Sequence, residues 1–77
     1  MKIEIYGTGC PKCKQTEKII RMAVEELEID AEIVKIEDLM EIMARGISIT
    51  PAIRIDGEIV LSGKIPSLEE AKKLLQR

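Results

Sequence analysis

Apolar and polar residues alternate along Lys2-Ile3-Glu4-Ile5-Tyr6, and the period-two run stops at Gly7, which predicts a strand over about 2–6. From Pro11 to Leu27 the period changes. Cys13, Thr16, Ile20, Ala23, Val24 and Leu27 recur at helical spacing on one stripe, with Lys14, Lys18, Arg21 and Glu25 off it, so a long amphipathic helix is expected. Residues 31–36 (AEIVKI) are β-branched and partly alternating, a second strand. Asp38 with Glu41 three residues on resembles a capping box opening a short helix that stops at Gly46. Its Leu39, Ile42 and Met43 are expected inside, and Met40 and Met43 are read as core.

After a loop, Ala52-Ile53-Arg54-Ile55 and Glu58-Ile59-Val60-Leu61 flank Asp56-Gly57, a strong hairpin signal, so these two strands should pair antiparallel. Ser67 and Glu70 form a Ser-x-x-Glu capping box for a last helix whose inner face is Leu68, Ala71, Leu74 and Leu75. The order is βαβαββα, an α/β pattern. Its strand–helix–strand half implies parallel strands joined by a right-handed crossover, and the hairpin makes the four-stranded sheet mixed. Each helix has a stripe to bury, so helices are expected on both faces. No repeat or linker interrupts residues 1–77, which read as one domain.

Composition narrows the function. Twelve Lys and Arg against fourteen Asp and Glu, mixed along the chain without a basic block, argue against nucleic acid. No apolar run approaches a membrane span, and Met1-Lys2 leads into the first strand without a signal-peptide core, so a cytoplasmic protein is expected. The core must be aliphatic, since Phe and Trp are absent. The lack of Asn and His, with abundant Ile, Glu and Lys, leans toward the composition of heat-adapted proteins.

Both cysteines stand in Cys10-Pro11-Lys12-Cys13, after the first strand. Cys10 meets the start of the helix, where free N–H groups and the positive end of the helix dipole favour thiolate, with Lys12 and Lys14 adding to the field. Cys13, one turn later and within disulfide reach, falls on the buried stripe and should be shielded. Such asymmetry suits dithiol exchange, in which an exposed thiolate attacks and a shielded thiol resolves. Other readings remain. Both cysteines could be structural, or the pair could be half of a metal site. Closed zinc would need a dimer, because there is no His and no third Cys. Two thiolates could carry a soft metal such as Cu(I), as small heavy-metal-associated domains do. Those domains carry Met where Thr8 stands here and end on a strand rather than a helix.

Cys10-Pro11-Lys12-Cys13 after strand one, Thr50-Pro51 opening strand three and Gly63 closing strand four resemble the thioredoxin/glutaredoxin superfamily, nearest its small redox-active disulfide proteins of prokaryotes, including archaea. The resemblance covers nearly the whole chain. It implies strand order 2-1-3-4, with the second helix on the face opposite the other two. It implies a cis Pro51 beside the cysteines, with Thr50 holding an extended segment of the partner through its backbone. Cys10 would be the nucleophile, Cys13 the resolving thiol, and Pro11 and Lys12 the residues that tune them.

The implied activity is dithiol–disulfide exchange on protein disulfides, without a bound cofactor, recharged by a thioredoxin-reductase-like flavoenzyme or a small thiol. A monomer is expected. A redox-silent adaptor that keeps the fold is an alternative. There are departures. Gly9 replaces the Trp that many thioredoxins have before the first cysteine, and Gly7-Thr8-Gly9 matches neither subfamily, so glutathione use does not carry over. Many members bury an Asp in strand one as proton acceptor for the second cysteine. Glu4 is the candidate here, against the plainer alternative of a side chain reaching solvent. Tyr6, the only aromatic residue, is a partner contact or, more plainly, packing at a strand end.

Overall fold

A computed structural model describes residues 1–9 and 11–76. The elements follow the expected order: β1 (Lys2–Tyr6), α1 (Pro11–Leu27), β2 (Glu32–Ile36), α2 (Leu39–Ala44), β3 (Ala52–Ile55), β4 (Glu58–Ser62) and α3 (Leu68–Leu75). The sheet order is β2-β1-β3-β4. β1 pairs parallel with β2 and antiparallel with β3, so the strand that leads to the cysteines lies inside the sheet.

Alternation along β1 and β3 divides the protein into two cores. Ile3, Ile5, Ile53 and Ile55 face α1 and α3, where they meet Ile20, Ala23, Ala71 and Leu75. Tyr6 and Ala52 face the other way, against Ile36, Ile42 and Ile47. Full burial of such an aliphatic side chain contributes about 1.5–3 kcal/mol, so the four isoleucines anchor the larger core.

Local chemistry fixes the element ends. α1 stops at Glu28, which takes a left-handed conformation at φ 52°. The Glu17 carboxylate ties α1 to β2 through Lys35 (3.1 Å) and also meets Arg21 (2.9 Å), and these cations hold its carboxyl below the usual range. Asp56 and Gly57 both have positive φ, the signature of a type I′ turn. That turn is tied to β1: Asp56 N–H donates to the Lys2 carbonyl, and Lys2 N–H to the Asp56 carboxylate. A register shift at Ile53/Arg54 makes Val60 the extra residue of β4, so Val60 and Leu61 both pack on the larger core. α3 carries the complete capping box between Ser67 and Glu70.

α2 departs from the sequence expectation. Asp38 caps it by accepting the Met40 N–H, and Gly46 follows it at positive φ, but only Ile42 is buried. Leu39, Met40 and Met43 are 57, 74 and 62 % exposed and are not core. A helix of six residues turns one narrow line of side chains toward the sheet, and Ile42 occupies it. Among the described residues no helix is long and apolar enough to cross a membrane.

Candidate functional site

The C-terminal ends of β1 and β2 and the first turn of α1 meet at one edge of the sheet. Gly7 N–H donates to the Ile36 carbonyl at 3.0 Å, extending the β1–β2 ladder one residue past the strands. Cys13 stands in the first turn of α1, 1 % exposed, on the stripe that continues through Thr16, Ile20 and Ala23. The Thr16 hydroxyl donates to the Lys12 carbonyl at 2.9 Å, closing that turn from the buried side. Pro11 and Lys12 are exposed. Cys10 lies outside the described residues, and with it the expectation of an exposed thiolate at the helix start.

Between strand end and helix the chain turns through Gly9, at φ 86°, where the Glu37 carboxylate comes close. A Cβ built on Gly9 would stand 3.4 Å from Glu37 Oε2. At Gly7 a Cβ would overlap Cys13 Sγ and stand 2.6 Å from Cys13 Cβ. The sequence pattern marks Gly7 only as a turn. Its close approach to Cys13 is a tertiary fact with no local signal.

The Thr50–Pro51 peptide bond is cis, as the family resemblance implies. Pro51 is buried, and its carbonyl accepts the Gly63 N–H at 2.8 Å, so the end of β4 clasps the start of β3. Gly63 has φ 80°, and a Cβ there would stand 2.9 Å from Ile49 Cγ2, which explains a glycine at that place. Thr50 is half-buried and borders an open groove of about 460 Å³ that also touches Thr8, Leu39, Met43 and Ile47. Among the described residues no charged one lines it. Two of the three exposed apolar side chains of α2, Leu39 and Met43, are therefore walls of this groove.

Glu4 satisfies neither of its two sequence expectations. Its side chain is buried and points to the α2 side of β1, where Oε2 accepts the Tyr6 hydroxyl at 2.8 Å and the Arg45 guanidinium at 3.1 Å. Cys13 belongs to α1, on the side faced by Ile3 and Ile5. A carboxylate bound this way on the opposite face is not placed to take a proton from Cys13. Tyr6 is fully buried, so it packs rather than meeting a partner. Arg54 lies over its ring at 5.7 Å. Burial first, and then the bond to Glu4, raise the Tyr6 hydroxyl above its usual pKa. Nothing local in the sequence links Glu4 to Arg45, which is 41 residues away.

Among the described residues no group of three or more Cys, Asp or Glu is arranged to hold a metal ion. Residues 1–76 match the family model of the thioredoxin domain. A protein named thioredoxin from Methanocaldococcus jannaschii is 55% identical over 74 residues, covering 96% of this chain and 85% of its own length. Another of that name, from Methanothermobacter thermautotrophicus, is 48% identical over 75 residues, covering 97% of each chain.

Proposed function

We propose, because this chain belongs to the thioredoxin domain family and is a protein disulfide oxidoreductase, that Cys10 is its nucleophile and Cys13 its resolving thiol. In the first step the Cys10 thiolate attacks one sulfur of a partner's disulfide. A Cys10–partner bond forms, the partner's S–S bond breaks, and one partner sulfur leaves as thiolate. Cys13 then gives up its proton and attacks the Cys10 sulfur of the mixed disulfide. The Cys10–Cys13 bond forms and the second partner thiolate departs. Two electrons pass to the partner, whose thiolates take up protons from solvent.

The observation that carries this reading is the burial of Cys13 against Gly7 in the first turn of α1. A shielded thiol three residues along the chain from an attacking one reacts with the tethered mixed disulfide rather than with bulk disulfides, which is what resolution requires. Two features support a protein as the partner. Thr50, before the cis proline, is accessible to an extended segment, and the uncharged groove beside it accepts an apolar side chain of that segment. In sequence Cys10 directly precedes Pro11, the first residue of α1, and Lys12, and a helix start and a neighbouring cation are surroundings that favour a thiolate. A flavoenzyme reductase or a small thiol restores the dithiol, and the chain acts as a monomer in the cytoplasm.

The test is trapping. Cys13→Ser treated with a protein disulfide substrate should accumulate a mixed disulfide through Cys10, whereas Cys10→Ser should accumulate none. Equal trapping by the two variants would reverse or void the assignment.

A further inference from the structure

Gly7 is glycine for a reason the backbone does not supply. Gly9, Gly46, Gly57 and Gly63 all have positive φ, but Gly7 is not among them, so no left-handed backbone calls for glycine there. What an alanine lacks is space. β1 alternation turns residue 7 to the same side as Ile3 and Ile5, toward α1, and there a Cβ would overlap Cys13 Sγ.

Neither partner of that contact can step aside cheaply. Gly7 is pinned to the sheet by its N–H bond to the Ile36 carbonyl. Cys13 is held by the first turn of α1, which the Thr16 hydroxyl closes at the Lys12 carbonyl, with Thr16 itself fully buried. The bare Cα of Gly7 is thus a flat floor under the sulfur.

We infer that Gly7 is a positioning residue for the resolving step, leaving the space in which Cys13 Sγ lies when it attacks the mixed disulfide at Cys10. This rests on the reading of Cys13 as resolving thiol. A methyl group at residue 7 must push the sulfur outward or sideways by a sizeable fraction of an ångström. Misplacement by about 1 Å of a reacting atom costs roughly a hundredfold in rate, so a smaller shift is expected to slow resolution by about ten- to a hundredfold. The Cys10 attack does not involve this contact and should change little.

The experiment is a single turnover of the reduced protein with stoichiometric 5,5′-dithiobis(2-nitrobenzoate), followed by thionitrobenzoate absorbance. In the first phase Cys10 thiolate displaces one thionitrobenzoate and keeps the other in mixed disulfide. In the second, Cys13 loses a proton to solvent, forms the Cys10–Cys13 bond and releases the second thionitrobenzoate. Gly7→Ala should leave the first phase within about twofold and slow the second by the factor above. Cys13→Ser should show the first phase only. Both phases of Gly7→Ala at wild-type rates, with Cys13→Ser stopping after one release, would overturn the role of Gly7 and leave the assignment of Cys13 standing. Two releases from Cys13→Ser would overturn that assignment and the inference with it.

Should Gly7→Ala fold poorly, a stability cycle still decides. If the overlap with the Cys13 side chain is the cause, Gly7→Ala costs less in a Cys13→Gly background, where both the sulfur and the Cβ that a methyl group would meet are gone. An equal cost in both backgrounds would refute the role of the Gly7–Cys13 contact.

Discussion

Removing one oxygen atom from the second core tests whether Glu4 is held as the geometry indicates. Tyr6→Phe keeps the ring that packs with Ile36, Ile42 and Ala52 and deletes the hydroxyl that donates to Glu4 Oε2 at 2.8 Å. A hydrogen bond to a charged group contributes about 1.5–3 kcal/mol. Arg45 still donates to the same oxygen, and its side chain is 41 % exposed, so solvent shares in the compensation. The lower end of the range, about 1.5 kcal/mol, is therefore expected.

Urea is the denaturant of choice, because guanidinium is a salt and screens the ion pair under test. With a urea m-value of about 1 kcal/mol/M for so short a chain, the midpoint should fall by about 1.5 M. Far-UV circular dichroism must follow it, since the variant removes the only tyrosine and the chain has no tryptophan to report by fluorescence. In an Arg45→Ala background the same change should cost more, because among the described residues the hydroxyl is then the remaining side-chain donor to Glu4. A midpoint shift below about 0.5 M, or the same cost in both backgrounds, would refute a shared acceptor.

Two further predictions concern ionisation and the groove. Tyr6 is the only chromophore near 295 nm, so its phenolate can be titrated directly: in the native protein it should ionise above the ordinary tyrosine value of 10.0, and in urea at about that value. Because the neutral hydroxyl is favoured by folding, this contribution is complete below pH 10 and is lost as pH rises through the native pKa. Tyr6→Phe should therefore lose the alkaline part of the stability profile. Met43→Glu sets a charge into the uncharged groove and should slow reduction of a protein disulfide such as insulin by about fivefold, equivalent to ~1 kcal/mol of lost apolar contact. Its reaction with dithiobis(nitrobenzoate), too small to need the groove, should be unchanged.

Where a signal is local, the sequence carries it fully. The Ser67/Glu70 box and the Asp56-Gly57 turn name their own partners within three residues, and β1 and α1 have clean periods of two and about 3.6. α2 fails that standard, since six residues contain less than two turns and cannot say which apolar side chains face the sheet. Leu39 and Met43 instead line an open groove, a use that composition cannot distinguish from core. Val60 occupies a bulge inside an unbroken apolar run, where alternation gives no phase.

The site divides the same way. Cys10 and Cys13 announce themselves by spacing, and the cis Thr50–Pro51 bond follows from the family's pattern. The close approach of Gly7 to Cys13 and the Glu4–Arg45 pair come only from contacts across the fold. Gly7-Thr8-Gly9, unlike either subfamily's loop, resolves into a floor for Cys13, an edge of the groove and a left-handed turn beside Glu37.

If Cys10 attacks and Cys13 resolves, the two thiols are unequal, and the alkylation rate of each reads that inequality. The reduced protein is pulsed with iodoacetamide at pH 7 and the modified cysteines are assigned by peptide mass spectrometry. Cys10 is predicted to react many times faster than Cys13, which is 1 % exposed. Equal rates, or a faster Cys13 in the folded protein, would mean that Cys10 is not the attacking thiol.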